Sequence, residues 1–310
     1  MPLGILRAMA ERELVKCRRC WNMFDPTEGD GACPVCLARE EDFLPSAERR
    51  RRKGAMFAKP AFFSQVVARL QWDPTTIDLA LDARAWPGLP DERRRRLRTL
   101  LAGFCVAEEA VSEHLTPFAQ ATPDTLVAWV FFLQRRDEER HSQFFDRIGA
   151  EVLGLPGATP ADRRAAARAH VPASVLELFE VRLPAMGAEL AAGRIGLEEG
   201  IALYHMVLEG IVFSAGQRAL LEDLEDGALP GLREGVERID KDERWHIGFG
   251  LRNLVDIRPS QELLRELLGR AEEAAAAWGD AVSTDTREHV TRLCARRLHI
   301  AGLIEEPAAA

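Results

Sequence analysis

The amino-acid sequence predicts an all-α chain, a bundle of long helices preceded by a small cysteine-bearing module. Three observations predict it. From residue 56 onward Ala, Leu, Glu and Arg dominate, all strong helix formers. Proline and glycine gather at intervals, at Pro87 to Pro90, Pro123, Gly154 to Pro160, Pro172, Gly193 to Gly196, Pro230-Gly231 and Pro259, and leave long uninterrupted segments between. Apolar residues recur in steps of three and four, and no two-residue alternation of the strand type is worth assigning.

The elements follow in order. Residues 1–45 hold four of the six cysteines and several turn-formers, Asp25-Pro26 and Gly29-Asp30-Gly31 among them. Cys17-x-x-Cys20 and Cys33-x-x-Cys36, with twelve residues between the pairs, are spaced for a tetrahedral four-thiolate site. The expected occupant is structural zinc, with rubredoxin-type iron as the alternative, since Cys33-Pro-Val-Cys36 looks like a rubredoxin knuckle. Against iron, Trp21 and Leu37 stand where glycine would follow each pair. Residues 46–55 form a basic linker containing Arg49-Arg50-Arg51-Arg52-Lys53, read as a solvated connector. Residues 56–310 are the helical domain, in which Cys105 and Cys294 stand alone.

Charge and composition narrow the function. The net charge of -8 is uneven: residues 1–55 carry 11 Lys+Arg against 9 Asp+Glu, or +2, which leaves -10 for the body. A net-acidic body argues against a nucleic-acid enzyme. No run of 18 apolar residues and no signal-peptide core is present, and the cysteines suit metal ligation and buried thiols, so a cytoplasmic location is expected.

The helical stripes carry the chemistry. One runs Leu97, Leu101, Phe104, Glu108, Val111, Leu115, Phe118; a second Val127, Phe131, Gln134, Glu138, His141, Phe145, Ile148; a later one Val236, Ile239, Glu243, His246, Gly250. In each, a carboxylate or imidazole interrupts the apolar face. Buried charges are normally paired or bound to metal, and carboxylates at matching depth on facing helices repel unless divalent cations intervene. Glu138-x-x-His141 and Glu243-x-x-His246 each place two ligands one turn apart on one face. Adding Glu108 and Glu209 gives four glutamates and two histidines, a mostly oxygen shell suited to iron or manganese. Glu108 is preferred to Glu109 because only Glu108 lies on the stripe. The expected grouping is Glu108, Glu138 and His141 on one metal and Glu209, Glu243 and His246 on the other, with Glu138 or Glu209 bridging.

Four segments resemble the ligand-binding oxidases built like the ribonucleotide reductase small subunit: Ala107 to Glu113, Asp137 to Phe145, Tyr204 to Gly210 and Lys241 to His246. The stretch Trp72 to Asp78 is similar too, and the likeness spans most of residues 55 to 260. It implies a ferritin-like bundle, a manganese/iron pair (or two irons), a long-chain fatty-acid-like ligand and an ether bond between a tyrosine and a valine. By resemblance that pair is Val111, three residues after Glu108, and Tyr204, five before Glu209 and the chain's single tyrosine. Related bundles are often homodimers. Two further family patterns fit less well. A ribonucleotide reductase small subunit is expected to carry a radical tyrosine where this chain has Phe145. A rubrerythrin-like peroxidase would need iron on the cysteines.

Read physically, such a cross-link demands removal of hydrogen from an unactivated valine carbon, hence an oxidant made from dioxygen at the metal pair. In a regular α-helix residues five apart diverge by about 140°. A π-bulge between Tyr204 and Glu209 is therefore predicted, to bring both onto one face. Asp242 and Trp72 are candidate hydrogen-bond partners behind His141. His114, His170, His205, His289 and His299 fit no ligand spacing. Phe104, Phe131, Phe145, Ile211, Val212 and Phe213 are either core or the wall of a ligand tunnel.

Overall fold

The computed structural model describes residues 15–17, 23–24, 32, 39, 43–44 and 59–305. Near the amino terminus three short strands, β1 (Val15–Cys17), β2 (Met23–Phe24) and β3 (Phe43–Leu44), pair antiparallel in the order β2-β1-β3. The sequence analysis assigned no strands, because two- and three-residue strands are too short to show an alternation. Cys17 is buried on β1, whereas Cys20, Cys33 and Cys36 lie outside the described residues.

From Lys59 onward the described chain is helical. The elements that build the centre are α1 (Pro60–Arg69), α2 (Asp91–His114), α3 (Thr125–Arg147), α4 (Leu197–Ile201), a π-helix (Ala202–Phe213), α5 (Ser214–Asp223), α6 (Pro230–Ile257) and α7 (Thr284–Ile300). Local chemistry sets their ends. Asp91 and Glu92 occupy the first turn of α2, where the helix dipole favours negative charge. Asp124 caps α3, accepting from the amides of Leu126 and Val127 at 2.8 and 3.2 Å. Pro230 opens α6, and Arg258 closes it in a left-handed conformation just before Pro259.

The predicted stripes face inward. Leu97, Leu101, Phe104 and Val111 of α2 and Phe131, Phe144 and Phe145 of α3 are fully buried, and Phe104 stacks on Phe145 with ring centroids 4.9 Å apart. Phe213 and Trp278 close on the same ring at 5.4 and 5.2 Å. Ile211 and Val212 are buried beside them, so these residues pack as core. Close helix contact depends on Gly235, where an added Cβ would stand 2.0 Å from the Phe144 ring.

The start of α6 is fixed from outside. Asp82, itself buried, accepts from the amides of Gly231 and Leu232 at 3.0 and 2.7 Å and so caps a helix that it does not belong to. Replacing Asp82 by Ala would leave both amides enclosed without an acceptor. The expected loss is about 1–3 kcal/mol of stability in urea unfolding. An unchanged midpoint would show that this cap does not hold α6 in register.

Candidate metal centre

Six side chains from four elements meet in the middle of the bundle: Glu108 of α2, Glu138 and His141 of α3, Glu209 of the π-helix, and Glu243 and His246 of α6. All are buried, with Glu243 the most accessible at 2%. They form two overlapping groups, Glu108, Glu138, His141 and Glu243 in one and Glu138, Glu209, Glu243 and His246 in the other. In each group the donor atoms lie within 4.8 Å of one another. The carboxylates common to both groups are Glu138 and Glu243. Each expected triad falls within one of the groups, and Glu243 joins Glu138 as a carboxylate that both groups contain. Helical spacing shows which face a residue occupies, but not how deep its carboxylate reaches between two centres.

The donor set fits a pair of divalent cations. Both oxygens of Glu108 and one of Glu209 are sealed from solvent with no hydrogen-bond partner, a state that buried carboxylates avoid unless a cation or proton satisfies them. Four ionised carboxylates would carry four negative charges, which two divalent ions balance. The pattern, one Glu from each of two helices and a Glu-x-x-His pair from each of two others, is that of dinuclear carboxylate proteins.

Behind the ligands lies a crossed arrangement. His141 presents Nδ1 to the cluster, 3.2 Å from Glu138, while its Nε2 faces Asp242 of the opposite helix at 3.2 Å. Asp242 also accepts from Trp72 Nε1 at 2.8 Å, as predicted. The other half mirrors it: His246 turns Nδ1 toward Glu138 at 3.1 Å and Nε2 toward Asp137 at 3.6 Å, and Asp137 accepts from Trp245 at 3.2 Å. Arg140 spans the two aspartates, 2.7 Å from Asp137 and 3.3 Å from Asp242. Carboxylates at the far ring nitrogens orient the imidazoles so that Nδ1 offers its lone pair inward. Asp137, Trp245 and Arg140 were not singled out from the sequence. A signal existed, since Asp137-Glu138 and Asp242-Glu243 repeat the same dipeptide ahead of each histidine.

The predicted π-helix is present from Ala202 to Phe213. Its consequence is visible at one side chain. Gln134 Nε2 donates both to Tyr204 Oη at 3.0 Å and to Glu209 at 2.7 Å, so the two residues share a face as the five-residue offset required. Tyr204 in turn donates to Glu138 at 2.8 Å. His205, read from the sequence as bland, donates through Nε2 to Gln134 Oε1 at 3.1 Å and thereby fixes which way the amide points. Space for its ring exists because residue 250 is glycine; an added Cβ would meet His205 at 2.2 Å.

Charge within this enclosure is strongly perturbed. Burial holds the Glu108 carboxyl up at about 8 against the pull of His141. Burial raises Glu209 and Glu243 as well. Glu138 is also desolvated, but His246 and His141 together hold it well below the usual carboxylate range. The same attraction, working against burial, keeps both histidines well above theirs. Burial, then Glu138, Glu209 and Glu243, push the Tyr204 phenol well up, so it keeps its proton. Burial and the neighbouring His246 push His205 well down, which leaves it neutral.

The chain matches the ribonucleotide reductase, small chain family over residues 62–285, and it belongs to that family. Solved structures agree on the fold. An R2-like ligand-binding oxidase with a valine-to-leucine substitution and an anaerobically reconstituted Mn/Fe cofactor superposes with a TM-score of 0.66 at 20% identity, over 80% of this chain and 94% of that one. A glycine-to-phenylalanine mutant with the same cofactor gives 0.66 at 22% identity over 81% and 95%. The R2-like ligand-binding oxidase from Sulfolobus acidocaldarius gives 0.64 at 22% identity over 80% and 91%. The architecture is thus the all-helical, ferritin-like one. No helix among the described residues is long and apolar enough to cross a membrane.

The perturbed carboxyls predict how metal-free protein responds to pH. An acid that keeps its proton to higher pH when folded makes the folded state bind more protons, so stability falls as pH rises between the two values. For Glu108 that window runs from about 4.5 to about 8. His141 and His246, raised in the folded state, act in the same direction over its upper part, whereas Glu138, lowered, acts only below it. Calorimetry on chelator-treated protein is expected to show the melting midpoint dropping across this window, with Glu108→Gln shallower. A flat or rising profile would contradict the description of the cluster.

Proposed function

We propose that the protein is a dioxygen-dependent oxidoreductase, a ligand-binding oxidase with a manganese/iron pair, or two irons, held by Glu108, Glu138, His141, Glu209, Glu243 and His246. The observation that carries the reading is the Tyr204 phenol, the chain's one tyrosine, hydrogen-bonded at 2.8 Å to a carboxylate shared by both halves of the cluster. When bound, the metal pair supplies two reducing equivalents and the oxidising power derived from dioxygen.

The chain's own residues position an internal reaction. Tyr204 is held by Gln134 and Glu138, and Val111 lies buried one turn beyond Glu108. The proposed product is an ether bond from Tyr204 Oη to Val111 Cβ. Its formation breaks one O–H and one C–H bond and releases two protons and two electrons. For dioxygen to leave as two waters, these two electrons and two protons would be joined by two electrons from the metal pair and two further protons from solvent. Glu138, which accepts the Tyr204 hydrogen bond at 2.8 Å, is the acceptor for the phenolic proton. The apolar rings around the cluster exclude water while the oxidant persists.

The resemblance supports a long-chain fatty-acid-like ligand. A homodimer is supported by an apolar strip on the outer face of α3, where Leu126, Trp129 and Phe132 are exposed and the two rings stack at 5.3 Å. Residues 1–45 are proposed as a zinc module on Cys17, Cys20, Cys33 and Cys36, joined to residues 56–310 by the linker 46–55. The spacing and the burial of Cys17 support this. A cytoplasmic location follows from the thiol usage.

The test is aerobic reconstitution of metal-free protein with manganese and iron, followed by intact and peptide mass measurement. The account expects the loss of two hydrogens in a peptide joining Val111 to Tyr204, abolished by Tyr204→Phe. A fully loaded sample that consumes dioxygen and forms no such link would remove the cross-link, and one that consumes none would remove the oxidase.

A further inference from the structure

One cleft of about 600 Å³ reaches the cluster from outside: Glu243 lines its inner end beside Gln217, whose amide donates to Glu243 at 3.4 Å. Its walls come from α5, α6 and α7 and mix charged side chains with apolar ones, among them Leu221, Ile247, Val290, Leu293 and Ile300. The charged groups along them are largely satisfied in pairs, Arg218 with Glu222 at 2.8 Å, Arg233 with Glu237 at 2.8 Å, and Arg244 with Asp240 at 2.5 Å. Arg297 of α7 is different. It lies near the bottom, where its Nη1 would stand 3.8 Å from a Cβ built on Gly210, the residue after Glu209. That nitrogen is sealed from bulk solvent and has no hydrogen-bond partner. Among the described residues no carboxylate forms an ion pair with Arg297; Asp240 attracts it only from a distance and is already paired with Arg244. Cys294, one turn earlier, does not supply an anion either, because burial pushes its thiol up to about 11.

A guanidinium nitrogen sealed without a partner is costly unless a ligand completes it, and the planar fork matches a carboxylate. We propose that the cleft is the substrate entrance and that Arg297 anchors the carboxylate of a compact organic acid, whose other end then points toward Glu243. The reading of the cluster as a metal centre gives this ligand its purpose; the anchor itself does not depend on metal. A long acyl chain would cover Leu221, Ile247, Val290, Leu293 and Ile300 but would also strip water from the ion pairs along the same walls, which favours a short acid. The size of the cleft is that of a small-molecule site.

Titration calorimetry with hexanoate, hexanamide and hexadecanoate, on both metal-loaded and metal-free protein, decides the matter. Hexanoate is expected to bind both forms. Arg297→Leu is expected to weaken it about ten- to hundred-fold, and Arg297→Lys to restore part of the loss. Hexanamide should bind more weakly and ignore the substitution. Arg218→Leu, which removes an arginine that is already paired, should change hexanoate affinity less than about threefold. Hexanoate binding that survives Arg297→Leu, preferential Arg297-independent binding of hexadecanoate, or no binding of any probe would each overturn the proposal. Metal content measured on the same samples separates the two readings. Arg297-dependent binding to protein that takes up no metal would leave the anchor standing and the oxidase fallen, and two bound metals with Arg297-independent ligand would do the reverse.

Discussion

Four glutamates enclosed within a few ångströms of one another are the constraint from which the rest of the molecule follows. Their mutual repulsion and desolvation oppose folding, and among the described residues no lysine or arginine pairs with any of the four; Arg140, behind the cluster, is committed to Asp137 and Asp242. Two divalent ions relieve both penalties at once, which makes metal binding part of the fold's stability. The bundle supplies the rigidity that such an arrangement needs: long helices, an aromatic core stacked on Phe104, and the outside cap from Asp82 that fixes where α6 begins.

Around that cluster the two halves are cross-braced. Asp242 of α6 holds the His141 imidazole of α3 at 3.2 Å, and Asp137 of α3 faces His246 of α6 at 3.6 Å, so sliding α3 past α6 would release His141. The π-helix breaks this near-symmetry. By winding more loosely it turns Tyr204 toward Glu138 and keeps Glu209 in reach, and Gln134 reads out both positions with one amide. His205 determines the orientation of that amide, and Gly250 gives His205 its place.

Much of this was legible in the residues. Helical periodicity marked the stripes, the interrupting carboxylates marked the site, and the family resemblance together with the five-residue offset from Tyr204 to Glu209 called for the loosened winding. What escaped notice had physical reasons. Glu243 shares the centre because of side-chain reach, which periodicity does not encode. His205 fits no ligand spacing, and its bond to Gln134 is visible only once the π winding is seen. Arg297 becomes informative only when α7 is seen against Gly210, and nothing near it in the sequence indicates an unpaired cation. The strands β1 to β3 are too brief to leave an alternation. The paired Asp-Glu dipeptides were legible and went unread.

The central claim is that two cations sit between these carboxylates, and anomalous X-ray diffraction at the manganese and iron edges on metal-loaded crystals tests it most directly. The account predicts two peaks about 3.5–4 Å apart, as in other paired sites, with Glu138 and Glu243 between them. A single ion, or none with the carboxylates closed on protons, would contradict it.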